Sequence, residues 1–265
     1  MTILTLTYPT IDPVLIEIGP FAIRWYALAY IFGLLGAIWY MKAMTHRPPE
    51  IVRTIDVDDF LVWATLGVIL GGRLGYVLFY KPGFFIDHPA AIFQVWQGGM
   101  SFHGGFLGVI VATWLFSRKR GIPVWGFADM IACAAPIGLF LGRIANFVNG
   151  ELIGRVSDVP WAMVFPHGGP QPRHPSQLYE ALLEGLALFV VLYFLRQNEA
   201  LRRRTGLLTG VFFIGYGLAR SAAELFRQPD YHIGFLLGGT TMGQWLSAPL
   251  ILFGIWLIVR AKPES

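Results

Sequence analysis

The chain has 265 residues, of which 55% are hydrophobic and only 14% charged, and its mean hydropathy is +0.57. Water-soluble domains carry about a quarter charged residues, so an ordinary soluble domain is excluded. The net charge of +4 does not point to a nucleic-acid partner, because the basic residues stand in short clusters between apolar runs, as a membrane topology signal does.

The N-terminal stretch MTILTLTYPTIDPVLIEIGPFAIRW has no early Lys or Arg. It carries Pro9, Asp12, Pro13 and Glu17 where a signal peptide keeps an apolar core, so it is expected to be retained. A membrane span needs about 20 mostly apolar residues. Seven segments qualify, at roughly 26–42, 59–80, 101–116, 124–148, 177–195, 206–226 and 242–259. The expected fold is therefore all-α, a polytopic integral membrane helical bundle of about seven transmembrane helices. It forms a single transmembrane domain over 1–265, with a small periplasmic cap at about 149–176. The one cysteine, Cys133, lies inside an apolar run. That leaves no disulfide framework and no thiolate metal cluster.

The basic clusters set the direction. Lys42, Arg47 and Arg53 follow the first span, Arg118, Lys119 and Arg120 the third, Arg196, Arg202, Arg203 and Arg204 the fifth, and Arg260 and Lys262 the seventh. All fall on one side, which predicts an outside N-terminus and a cytoplasmic C-terminus.

Ionisable residues inside spans need a reason. At about 1.5 Å of rise per residue, Arg73, Arg143 and Arg220 lie roughly 20–24 Å from the cytoplasmic side. His103 reaches the same zone from the other direction, and Tyr26, Gln177, Glu180 and Glu184 join it. One polar chamber open to the outer leaflet follows. Bland readings stand beside this one. Arg73 in GGRLGYVLFY could snorkel beside Tyr76 and Tyr80, Arg220 and Glu224 could be a structural i,i+4 pair, and Glu180 and Glu184 read more readily as wet interfacial residues than as catalytic ones. The glycines flanking His103 in QGGMSFHGGFLG allow close approach of a backbone or ligand, which favours a functional histidine. In GRIANFVNGELIG, Arg143 and Asn146 offer the donors that a phosphate or carboxylate needs. Gly150 and Gly154 suit a chain leaving its helix. Two arginines flanking a phosphate in the outer leaflet point to a lipid head group.

GRIANFVNGELIG resembles the signature of the bacterial prolipoprotein diacylglyceryl transferases. FHGGFLG around His103, RHPSQLYE at 173–180, RSAAELFRQPD at 220–230 and IRWYALAY with Tyr26 agree with it, so the resemblance covers essentially the whole chain. Ser-Ala-Ala after Arg220 departs from the bulkier residues expected there. The resemblance implies an inner-membrane transferase of lipoprotein biosynthesis. It would move the diacylglyceryl group of phosphatidylglycerol onto the lipobox cysteine of a preprolipoprotein, giving a thioether and releasing glycerol phosphate. Under that reading His103, Arg143 and Arg220 are the catalytic candidates, and no metal or other cofactor is expected, since two arginines balance the charge of the phosphate leaving group. Tyr26, Arg143, Asn146, Glu151, Gly154, Arg220 and Glu224 are the lipid-binding candidates. His103 would be the base for the acceptor thiol or would bind the head group. On composition alone a secondary transporter for anions competes with this reading. An intramembrane protease does so less well, since the chain has no HExxH and no GxSxG.

Overall fold

The computed structural model describes residues 6–9, 11–19, 21–229 and 234–262. Each of the seven expected spans is helical. They are α1 (Trp25–Thr45), α2 (Thr54–Phe79), α4 (Phe102–Arg120), α5 (Val124–Val148), a rod over 176–195, α9 (Leu207–Ala223) and α10 (Met242–Arg260), with short α3 (Pro82–Asp87) and α8 (Glu199–Arg202) between them. The rod is α6 (Ser176–Glu180), a π-helical stretch (Ala181–Ala187) and α7 (Leu188–Leu195). Among the described residues, five helices are long and apolar enough to cross a membrane. α9 is apolar but only 17 residues long, and α4 ends in Arg118, Lys119 and Arg120. Large side chains such as Trp39, Leu78, Leu252 and Val259 are exposed on the helix flanks. That is the surface of a protein whose solvent is lipid.

The chain divides into two compact units, Met1–Tyr40 with Asp129–Ser265, and Met41–Ala128. In the smaller unit α2 packs along α4. The glycines of the two helices meet: a Cβ on Gly108 would collide with the Gly67 carbonyl, and one on Gly71 with the Gly104 carbonyl. The glycines beside His103 therefore bring helix backbone onto helix backbone, as small residues do at every fourth position in membranes.

In the larger unit α9 packs on α10 and on the rod. Asp129, buried on α5, caps α9 from outside that helix: its carboxylate accepts from the Gly206 N–H at 2.8 Å and from the Thr209 N–H and hydroxyl, each at 2.6 Å. These are orphan donors of a helix start, where a negative charge is favoured. The cap is held by short β pairings. β1 (Leu6–Thr7) runs parallel to β4 (Met163–Val164), β2 (Val14–Ile18) is antiparallel to β3 (Phe21–Arg24), and isolated bridges join Gly154 to Arg227 and Val156 and Met163 to Arg173.

Candidate active site

The signature begins on α5 and ends in the cap. The helix stops with a left-handed glycine, Gly150 (φ 65°). The Glu151 N–H returns to the Asn146 carbonyl at 3.1 Å and the Gly150 N–H to the Phe147 carbonyl at 2.9 Å, a paired closure that satisfies the last carbonyls. The Tyr8 hydroxyl donates in the same turn, at 2.6 Å from the Phe147 carbonyl and 2.8 Å from that of Val148. Asn146 and Asn149 both donate to one oxygen of Glu151, at 2.9 and 3.4 Å. Gln177 donates to the Glu151 carbonyl at 2.6 Å. Leu152 follows with a φ of 57°, a strained conformation for a branched side chain.

Gly154 has no positive φ. Its role is steric: a Cβ would collide with the His174 carbonyl and stand 2.8 Å from that of Phe226. Its neighbour Arg155 donates to the carbonyls of Glu224 (2.9 Å) and Arg227 (3.0 Å), so the cap is latched to the end of α9. Behind this latch, burial and then the Arg155 charge hold His174 below the ordinary imidazole value.

Arg143 sits on α5, one turn after Phe140, and the α5 backbone approaches the rod at Gly185, where a Cβ would stand 2.7 Å from the Phe140 Cα. This contact brings Arg143 to the rod's carboxylates. Its Nη1 pairs with Glu180 at 2.9 Å, and its Nε and Nη2 donate to Glu184 Oε2 at 3.2 and 3.0 Å. Arg220, near the end of α9, reaches the same pair, Glu180 at 3.2 Å and Glu184 at 3.6 Å, and makes a short contact with Glu224. Arg227 adds a third guanidinium, 3.4 Å from Glu180 and 4.0 Å from Glu224. Tyr216, one turn before Arg220, lies in the field of Arg143, Arg220 and both rod glutamates.

Three guanidiniums thus face three carboxylates. The Glu180 and Glu184 side chains are fully buried, whereas those of Arg143 and Arg220 keep 17% and 15% of their surface. The reading of Glu180 and Glu184 as wet interfacial groups is therefore corrected: the rod is packed along that face and places both inside. Arg227 lay one residue beyond the sixth expected span and escaped the sequence reading. Its spacing from Arg220 and Glu224 (220, 224, 227) marks one helix face and was available.

Of the other expected site residues, Tyr26 is half-buried on α1, its hydroxyl 3.3 Å from that of the exposed Tyr30. His103 belongs to the smaller unit, where it is exposed in the first turn of α4 beside Phe102. Arg73, also in that unit, does not snorkel: it is buried and bonded to loop carbonyls. The last residue of the RSAAELFRQPD match, Asp230, lies outside the described residues.

A family model described as prolipoprotein diacylglyceryl transferase matches residues 13–260. The chain is 63% identical over 257 residues to a protein of Paramagnetospirillum magneticum, a match covering 97% of this chain and 96% of the relative. It is 62% identical over 263 residues to one of Rhodospirillum rubrum, covering 97% and 96%. With Azospirillum brasilense the figures are 56% over 261 residues, 98% and 97%. Each of these relatives is named phosphatidylglycerol--prolipoprotein diacylglyceryl transferase. On a match that runs nearly the whole length and includes the helix end that carries Arg143, the chain belongs to the prolipoprotein diacylglyceryl transferase family.

Proposed function

We propose that the arginine–glutamate cluster is the site where this multi-pass membrane transferase handles the phosphate of its lipid donor. The enzyme transfers the diacylglyceryl group of phosphatidylglycerol to the cysteine thiol of a prolipoprotein, the reaction that its relatives' name describes. The observation that supports the assignment is an asymmetry of access: the counter-carboxylates Glu180 and Glu184 are sealed, and the exposed edge of the cluster is guanidinium. An incoming anion meets the N–H edges of two planar guanidiniums, oriented by the buried carboxylates, and these are donors suited to the oxygens of a phosphate.

In the transfer, the acceptor thiol gives up its proton, its sulfur forms a bond to the glyceryl carbon, and the bond from that carbon to the phosphate oxygen breaks. The phosphate keeps the electron pair and leaves as glycerol phosphate. Arg143 and Arg220 stabilise the charge that grows on it. A cysteine thiol with a pKa of about 8.5 is a weak nucleophile until deprotonated. His103 is assigned as the base, on its residue type and on the family resemblance of its sequence. Asn146 and Glu151 shape the helix end beside Arg143, Tyr26 adds a hydroxyl, Glu224 orients Arg220, and Gly154 admits the cap strand. The protein resides in the bacterial inner membrane with its N-terminus outside, its lipid donor in the outer leaflet and its acceptor the lipobox cysteine. This orientation rests on the basic clusters.

The test is the mass of a lipobox peptide incubated with the enzyme in bilayers. A gain of one diacylglyceryl unit is expected, dependent on phosphatidylglycerol and lost when the peptide cysteine is replaced by serine. A peptide of unchanged mass under these conditions would sink the reading. Near-normal turnover by His103→Gln would remove His103 as base.

A further inference from the structure

Arg73 is 6% exposed, and its guanidinium pairs with no carboxylate among the described residues. Its Nε donates to the Ile92 carbonyl at 2.8 Å. Its Nη1 donates to those of Gly98 (2.6 Å) and Gly99 (3.1 Å), and its Nη2 to those of Ala91 (2.5 Å) and Gln94 (3.3 Å). All five acceptors lie in the connection between α3 and α4. The guanidinium also stands 5.1 Å over the Phe85 ring. A cation this deep is costly unless its donors are used, and here five carbonyl dipoles take the place of a counter-ion.

The geometry is specific at its end nearest α4. Gly98 and Gly99 have φ of 81° and 79°, a conformation that turns both carbonyls towards Arg73 and that side chains with a Cβ rarely adopt. A Cβ on Gly99 would stand 2.6 Å from the Tyr76 ring. Directly after this pair the chain is pinned again: the Ser101 N–H donates to the Gly72 carbonyl at 2.8 Å, and the Ser101 hydroxyl caps α4 by accepting from the Gly104 N–H at 3.2 Å. His103 is the second residue of that helix. Arg73 and Gly72, adjacent on α2, therefore hold Gly98 and Gly99 on one side of Met100 and Ser101 on the other, immediately before the first turn of α4.

We propose that Arg73 is a positioning residue for His103: its guanidinium fixes the backbone of 91–99 and thereby the turn that carries the histidine. The proposal rests on the assignment of His103 as the base. It also accounts for an arginine where a lysine would satisfy the charge, because one ammonium cannot donate in five directions within a plane.

Arg73→Lys and Arg73→Met are compared with wild type in lipid nanodiscs, reading turnover with a lipobox peptide, KM for phosphatidylglycerol, and the ring 15N signals of His103 in histidine-labelled protein. Signals are assigned with His103→Gln. Both variants are expected to lose about tenfold or more in kcat, the scale of a mispositioned catalytic group. KM is expected to change less than about twofold, the His103 signal to move and that of His174 to stay. Wild-type kcat with an unmoved His103 signal in Arg73→Lys overturns the proposal. So does a raised KM at unchanged kcat, which would place Arg73 on the lipid instead. If His103→Gln itself turns over normally, the base assignment fails, while the movement or stillness of the His103 signal still decides whether Arg73 sets that turn. Should Arg73→Met not fold, Arg73→Lys carries the test.

Discussion

Arg143 lays its Nε and Nη2 edge on a single oxygen of Glu184, at 3.2 and 3.0 Å, while its third nitrogen, Nη1, turns to Glu180 at 2.9 Å. The guanidinium is thus held in one plane by two fully buried carboxylates on consecutive turns of the same rod. Glu184 lies in the π-helical stretch, and wide turns of this kind occur often at functional sites. The plane of Arg143 is set before any lipid arrives.

Arg143→Lys keeps the charge and loses that plane, since one ammonium cannot hold both carboxylates in the same arrangement. Turnover is expected to fall about 10²–10³-fold, the scale of removing one fixed donor from a developing negative charge. Steady-state kinetics on the lipobox peptide check this. A variant running at full rate would take Arg143 out of the site.

Gly154→Ala tests the steric account of the signature's last glycine. Its new methyl would collide with the His174 carbonyl and push the cap strand off the latch made by Arg155. An overpacking cost of about 1–3 kcal/mol is expected, seen as a lower thermal midpoint, faster proteolysis within 151–175 and reduced turnover. Unaltered proteolysis would show that the strand has slack.

His174 gives the cap a pH dependence with a definite sign. Burial and Arg155 lower its pKa in the folded protein from the ordinary 6.5, so the released cap binds the proton more readily. The contribution is fully present above about pH 6.5 and is lost as the pH falls through the lowered folded value. Hydrogen exchange at the Gly154 amide, which bonds to the His174 carbonyl at 3.0 Å, is expected to lose protection as the pH falls below about 6.5. His174→Gln should flatten that trend, and an equal loss in the variant would assign it to another group.

Asp129→Ala removes the acceptor of three donors at the start of α9. The loss is expected to be about 1–3 kcal/mol, the cost of leaving buried donors unpaired. Asp129→Asn should lose less, because it keeps one accepting oxygen for Thr209. Thermal unfolding in detergent ranks the three proteins, and equal midpoints would mean that water replaces the carboxylate.

The helices were legible because a membrane fixes the length of an apolar run, and the basic clusters punctuate it. Arg143 and Arg220 were legible as cations with no business in lipid. Glu180 and Glu184 were misread because depth along a helix says nothing of which face is covered, and the packing of Gly185 against Phe140 is a contact between distant segments. Arg73 was undecidable from sequence for a different reason: its partners are carbonyls, which every residue has. The glycines around His103 gave a true signal of close approach, but Gly104 and Gly108 approach helix α2.

That seam has a mechanical consequence. With the backbones of α2 and α4 in contact at Gly67, Gly71, Gly104 and Gly108, α4 cannot roll about its own axis without driving main chain into main chain. At the other end of the pair Arg120 of α4 is bonded to Asp59 of α2 and stands 3.5 Å from Asp56, so the two helices are joined by backbone contact at one end and by ion pairs at the other. The turn bearing His103 and this ion-paired basic end are thus the two ends of one glycine-seamed helix pair, some 25 Å apart at about 1.5 Å per residue.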